Sequence, residues 1–279
     1  MVRIITDTTA GLAVETARRC GIPVIPQVII FGKDSYLEGE EIDNAAFMAR
    51  LVSSAELPKT AAPPPELFAQ EFRRLVPTGE PILCIHPSAE VSGTVRAAMV
   101  AKADFPDADI RVIDTRIIAS PMATMVTLAA RWAAAGESAD AIEARLQDMI
   151  ARCRVYFLVA TLEYLAKGGR IGGAAALLGG VLQIKPILTV RDGKVDTFDK
   201  ERTHRRAVAR LKQVVLEQCP RGNGGYMSVM HAAVPDQAQA LAGELAAALG
   251  ASAVPILDVP PAIVTHGGPG ILGVGFFAA

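Results

Sequence analysis

The segment Thr265-His266-Gly267-Gly268-Pro269-Gly270 sets one histidine in backbone almost stripped of side chains. A neutral imidazole carries one donor and one acceptor, and its protonation changes near neutral pH. Glycine lets the flanking chain take φ > 0 or approach a bound molecule closely. The combination suits a small-molecule site, and it also suits a tight turn, because Gly-Pro pairs mark turns. Ser92 with His266, and Asp7 or Asp114 behind them, are the residue types of a nucleophile, a base and an orienter. Their spacing gives such a triad no local support.

Other chemistries are excluded more firmly. There is no GxSxG elbow and no GxxxxGK[ST] loop. Gly268-Pro269-Gly270-Ile271-Leu272-Gly273 satisfies GxGxxG in letters only. The dinucleotide fingerprint needs a following helix and an acidic residue about twenty positions on; six residues follow Gly273 in this sequence. Cys20, Cys84, Cys153 and Cys219 are scattered without a CxxC, which fits reduced thiols acting as small hydrophobes. His86, His204, His231 and His266 lack metal-ligand spacing, so neither metal nor cofactor is expected.

The 279 residues hold 28 basic and 29 acidic side chains, a net charge of -1 with no basic stripe, so nucleic acid is not an expected partner. Hydrophobic residues make up 51% and aromatics 5%, a composition for small-residue helices packed closely on a sheet. The longest apolar stretch, 117–130, is interrupted by Ser120, Pro121 and Thr124, too short to span a bilayer. The opening residues do not resemble a secretory signal. A soluble cytoplasmic protein is expected, with no stable membrane insertion and at most transient membrane contact.

Positioning these residues falls to alternating strands and helices. Val2-Arg3-Ile4-Ile5-Thr6 reads as a buried strand, residues 12–20 as a helix, and 24–31 as one further strand. Asp43 can cap a helix that ends before Pro58, and Pro65 sits in the first turn of the next. Strands at 81–85 and 110–113, each followed by a polar loop and a helix, predict a mostly parallel sheet with helices on both faces. Ligands on such sheets gather at the carboxyl ends of the strands, where Asp7, Ser88, Ser92 and Asp114 fall. A helix over 138–152 leads to a strand over 155–160. Asp192-Gly193 between two apolar runs then signals a hairpin, hence a mixed sheet, and two βα units follow over 226–249 and from 253.

Residues 162–171, Leu-Glu-Tyr-Leu-Ala-Lys-Gly-Gly-Arg-Ile, read as a short helix with a glycine cap, with Arg170 just past its end as a carbonyl cap or surface group. Residues 177–188 then feed a strand. The 162–188 block, the Thr265–Gly273 ending, Val91-Ser92-Gly93-Thr94 and the opening Thr6-Asp7 together resemble the DegV family of bacterial fatty-acid-binding proteins, in order and over essentially the full length. Three places depart from the family's pattern: Thr60-Ala61-Ala62-Pro63-Pro64 keeps one hydroxyl where the family has more, Asp7-Thr8 replaces Asp-Ser, and Pro121-Met122 stand in a usually glycine-rich run.

The resemblance implies a two-domain α/β fold, an N-terminal domain over 1–155 and a C-terminal mixed-sheet domain over 156–279. It implies a long-chain fatty acid in a buried tunnel between them. The carboxylate would be presented to a separate fatty acid kinase for acyl-phosphate formation, so the protein would be a lipid carrier rather than an enzyme. Head-group ligands carry over to Thr60, Ser92, Gly93, His266 and Gly267, with Arg170 near the carboxylate and Arg202 and Lys200 on a kinase-docking surface. Neutral donors can hold a carboxylate without the desolvation cost of a buried ion pair. Burial of the acyl chain contributes about 0.8 kcal/mol per CH₂ before entropy costs. Two alternatives stay open: a Ser92/His266 acyl hydrolase, and the substrate-binding subunit of a dihydroxyacetone-kinase-like system in which the histidine holds its substrate covalently.

Overall fold

A computed structural model describes residues 1–54, 56–178 and 184–279; residues 179–183 of the block singled out above lie outside the described residues. The chain forms two compact units, Met1–Ala151 with Pro260–Ala262, and Arg152–Val259 with Ile263–Ala279.

Unit 1 runs β1 (Arg3–Asp7), α1 (Val14–Cys20), β2 (Val24–Ile25), β3 (Val28–Phe31), β4 (Asp34–Leu37), α2 (Asn44–Ser53), β5 (Lys59–Ala61), α3 (Pro65–Leu75), β6 (Ile82–His86), α4 (Thr94–Lys102), β7 (Ile110–Asp114), α5 (Ser120–Ala134) and α6 (Ala139–Arg152). Strands β2-β1-β6-β7 form a wholly parallel sheet. Ile5 and Cys84 pack with Phe68 and Phe72 of α3 and Ala98 of α4. Side chains alternate along a strand, so Ile4, Leu83 and Ile85 face the other way. There α5 packs on β1 and β6, with Met122, Val126 and Ala129 buried. Each of the fully buried phenylalanines contributes about 2 kcal/mol of burial.

One strand was expected over 24–31, and the structure holds two. Val24 and Ile25 extend the parallel sheet, whereas Val28–Phe31 is the centre of a separate antiparallel sheet, β4-β3-β5. Pro26 lacks a ladder donor, and the polar Gln27 turns inward, so the chain changes sheet at this pair. Asp43 caps α2, its carboxylate accepting from the Ala46 N–H at 2.7 Å.

Unit 2 runs β8 (Cys153–Leu158), α7 (Glu163–Lys167), β9 (Lys185–Arg191), β10 (Lys194–Glu201), α8 (His204–Gln218), β11 (Ser228–His231), α9 (Pro235–Leu249), β12 (Ile256–Asp258), α10 (Pro261–Gly267, whose first two residues belong to unit 1) and β13 (Leu272–Phe277). Its sheet has the order β10-β9-β8-β13-β11-β12, antiparallel except for β11 with β12. The Asp192-Gly193 turn carries φ of 51° and 80°, the two left-handed residues of a type I′ hairpin. Helices α8 and α9 bury Leu211, Val214, Leu241 and Leu245 against Tyr156, Val229, Val274 and Phe276 of the sheet. Among the described residues no helix is long and apolar enough to cross a membrane.

Unit 1 also buries Glu38, 3% exposed, whose carboxylate accepts from the Ala262 N–H at 2.8 Å and from the Thr8 hydroxyl. Burial outweighs those two bonds and pushes its pKa up to about 7, with the nearby Asp7 adding to the rise. The native state therefore holds a proton that the unfolded chain has released above its ordinary value of 4.5, and stability falls as pH rises from there to about 7. Glu38→Gln has no proton to lose. Its melting temperature relative to wild type should climb between about pH 5 and about pH 8 and level off above; a constant difference in a calorimetric series would contradict this.

Candidate functional site

In unit 1 one candidate hydroxyl sits in a strand and the other in a loop. Thr60 lies in β5, opposite Ile29 of β3, and Ser92 and Gly93 lie in the turn before α4. The structure brings the two segments together: a Cβ on Gly93 would stand 3.2 Å from Ala62 Cβ, two residues beyond Thr60. Ser92 Oγ lies 2.7 Å from Thr94 Oγ1 and accepts from the Thr94 N–H at 3.3 Å. Gln27 Nε2 donates to Thr94 Oγ1 at 2.8 Å and to Asp7 Oδ1 at 3.0 Å. Asp7 Oδ1 also accepts from the backbone N–H and hydroxyl of Thr9, at 3.0 and 2.6 Å. Its other oxygen faces His86 Nδ1 at 2.7 Å. Asp7, Gln27, His86 and Thr94 are all buried.

In unit 2 His266 lies in the last turn of α10 rather than in an open glycine loop. Gly168, which ends α7, makes room for it: a Cβ at Gly168 would collide with His266 Nδ1 and stand 2.9 Å from the Tyr164 carbonyl oxygen. Gly268 has φ of 76°, and a Cβ there would run into the Tyr164 ring. The glycine of Gly267 is needed for a different reason, since its side-chain space is filled by Ile271. Arg170 donates to the Gly168 carbonyl at 2.7 Å, which ties the helix end that accommodates the imidazole. Burial, then the positive charge of Arg170, lowers the His266 pKa to about 4. At neutral pH His266 is an uncharged ring that carries one N–H.

Lys200 and Arg202 lie exposed at the junction of β10 and α8, where Thr203 caps the helix. A cavity of about 500 Å³ opens beside α7, walled by Val159, Leu162, Ala166, Leu178 and Pro186 with Lys185 at its side. Thr60, Ser92, His266 and Arg170 do not line it. Among the described residues no group of histidines, cysteines or carboxylates could hold a metal ion.

Sequence reasoning missed Gln27, Thr94, His86 and Gly168. Thr94 was within reach, because a serine two residues before a helical threonine is a common side chain-to-backbone motif. Gln27 carried no local signal beyond its place after Pro26.

A parallel N-terminal sheet and a mixed C-terminal sheet, each with its own helices, define a mixed α/β protein of two units. The chain belongs to the DegV family: the family profile described as "Uncharacterised protein, DegV family" matches residues 1–279. A DegV domain-containing protein of Streptomyces coelicolor is 37% identical over 275 residues, covering 98% of this chain and 97% of the relative. Among solved structures, a DegV family protein from Thermus thermophilus, described for its fatty acid binding, is 30% identical with a TM-score of 0.90, over 100% of this chain and 99% of that one. A fatty-acid-binding DegV family protein from Streptococcus agalactiae is 28% identical with a TM-score of 0.92, over the same shares of 100% and 99%.

The low pKa of His266 has two causes that substitution separates. Arg170→Met removes the charge but leaves most of the burial. The His266 midpoint, followed by NMR, should rise from about 4 yet stay below the ordinary 6.5. A midpoint that did not move would remove Arg170 from the electrostatics of the site.

Proposed function

We propose that this protein binds a long-chain fatty acid and acts as a carrier that presents the carboxylate to a separate kinase. The observation that supports this most is the likeness, over the whole chain, to DegV structures described as fatty-acid-binding. The head-group role falls to Thr60, Ser92 and Gly93, and to His266 and Gly267, with Arg170 beside the imidazole. An ionised carboxylate only accepts hydrogen bonds, and hydroxyls and an uncharged imidazole N–H donate them without burying a second charge. The acyl chain contributes most of the affinity through burial, about 0.8 kcal/mol per CH₂.

In this reading the kinase transfers a phosphoryl group from its nucleotide to a carboxylate oxygen, and the acyl phosphate stays on the carrier. The same donors serve the product, whose added oxygens are also acceptors, and Arg170 offsets the added charge. Lys200 and Arg202 supply an exposed basic patch for docking. The hydrolase alternative requires a base that accepts the Ser92 proton, whereas the groups at Ser92 Oγ are the hydroxyl and N–H of Thr94.

Organic extraction of the freshly purified protein followed by mass spectrometry should release close to one fatty acid per chain. An empty extract, with no uptake of added fatty acid, would overturn the carrier reading. His266→Ala should leave the circular dichroism spectrum intact and lower fatty acid retention about tenfold, the loss of one hydrogen bond to a charged group. With a fatty acid kinase and ATP, hydroxylamine should trap the acyl phosphate as a hydroxamate. Lys200→Glu with Arg202→Glu should slow that reaction about tenfold while leaving fatty acid binding unchanged.

A further inference from the structure

We infer that Gln27, acting through Thr94, fixes Ser92 as a hydrogen-bond donor only, and so makes the head-group site select ligands whose end group only accepts. The inference rests on the carrier reading and adds the origin of its head-group selectivity. It follows from counting protons along one buried chain of contacts in unit 1.

The count begins at Asp7. Its Oδ1 accepts from the Thr9 backbone N–H, a group that can do nothing but donate, so this oxygen is an acceptor. The Gln27 side-chain atom 3.0 Å away must then be the amide nitrogen, not the amide oxygen, which settles the orientation of that amide. The same nitrogen is 2.8 Å from Thr94 Oγ1, so its two hydrogens are both placed, one on Asp7 and one on Thr94. His86 Nδ1 on the far carboxylate oxygen, at 2.7 Å, holds Asp7 from the other side.

Thr94 Oγ1 is thereby an acceptor for Gln27, and its own proton needs a different partner. Ser92 Oγ, at 2.7 Å, is that partner. Ser92 Oγ also takes the Thr94 backbone N–H at 3.3 Å. A hydroxyl has two lone pairs and one proton. Both lone pairs of Ser92 are now occupied, and its proton is left to point away from Thr94. Gln27, 3% exposed, and Thr94, fully buried, are shielded from water that could scramble this order. A carboxylate or an acyl phosphate meets such a hydroxyl with a lone pair. An alcohol or an amide gains nothing from its own proton there, because Ser92 cannot accept it.

The test is competitive loading. Wild-type protein stripped of lipid is exposed to vesicles carrying equimolar palmitate and 1-hexadecanol, and the bound ratio is read by mass spectrometry. In Gln27→Met, Thr94 is free to accept from Ser92, so Ser92 can turn and accept from the alcohol; the palmitate-to-hexadecanol ratio should fall about tenfold. Thr94→Val should do the same, and Thr94→Ser, which keeps the hydroxyl, should restore the ratio. Mere loosening of the fold would lower both loadings alike and leave the ratio where it was, and that result would overturn the inference. Equal loading of both ligands by wild type would also overturn it while leaving the carrier reading standing, whereas uptake of neither ligand by wild type would defeat the carrier reading. If the variants fail to fold, neutron diffraction of the deuterated wild-type protein decides directly. A deuteron on Thr94 Oγ1 directed at Ser92 supports the assignment, and a deuteron on Ser92 directed at Thr94 refutes it.

Discussion

A fully buried carboxylate at the end of the first strand governs much of unit 1. Leaving the lone pairs of Asp7 unfilled away from water would cost several kcal/mol, so the surrounding chain is obliged to supply donors. Those donors come from three separate segments: the turn after β1 gives Thr9, the crossing between β2 and β3 gives Gln27, and the end of β6 gives His86. Each donor has further duties. The Gln27 backbone N–H goes to Thr8 Oγ1 at 3.0 Å, and the Thr8 hydroxyl donates to Glu38. One acid thus sets the shape of three loops at the carboxyl edge of the parallel sheet, the edge that carries Ser92.

Glu38 shows what happens with fewer donors. Two bonds do not offset its burial, and its pKa rises to about 7. His266 in unit 2 moves the opposite way for the same reason, since burial disfavours whichever form is charged. The head-group donors proposed here are uncharged at neutral pH. Salt therefore acts on such a site through the charges of Arg170 and of the bound carboxylate, not through the hydroxyls and the neutral ring.

Much of the scaffold was legible in the residues themselves. Asp43 as a helix cap, Asp192-Gly193 as a hairpin turn and the strand-loop-helix rhythm of 1–114 are local signals, and local chemistry decides them. The strand break at Pro26-Gln27 was harder, since six apolar residues of 24–31 spoke for one strand and only the Pro26-Gln27 pair against it. The placement of His266 on a helix was not legible, because the glycines around it serve Tyr164 and Ile271, partners distant or invisible in a linear pattern. Arg170 illustrates two roles in one side chain: the carbonyl cap read from its position is present, and the charge bearing on His266 depends on the fold. Gln27 lay beyond sequence reasoning altogether, for an inward-facing amide has no signature until its partners are in place.

The order of strands in unit 2 has a kinetic side. β13 is wedged between β8 and β11, yet its pairing of Phe277 with Cys153 spans about 120 residues of chain. On the ribosome β8, β9 and β10 emerge early and can pair among themselves, while the open edge of β8 waits for a strand made much later. Open strand edges attract other chains. The interval between synthesis of β8 and arrival of β13 is therefore the period in which a nascent chain is most exposed to pairing with a neighbour, and the pace of translation through that stretch becomes part of how the protein reaches its fold.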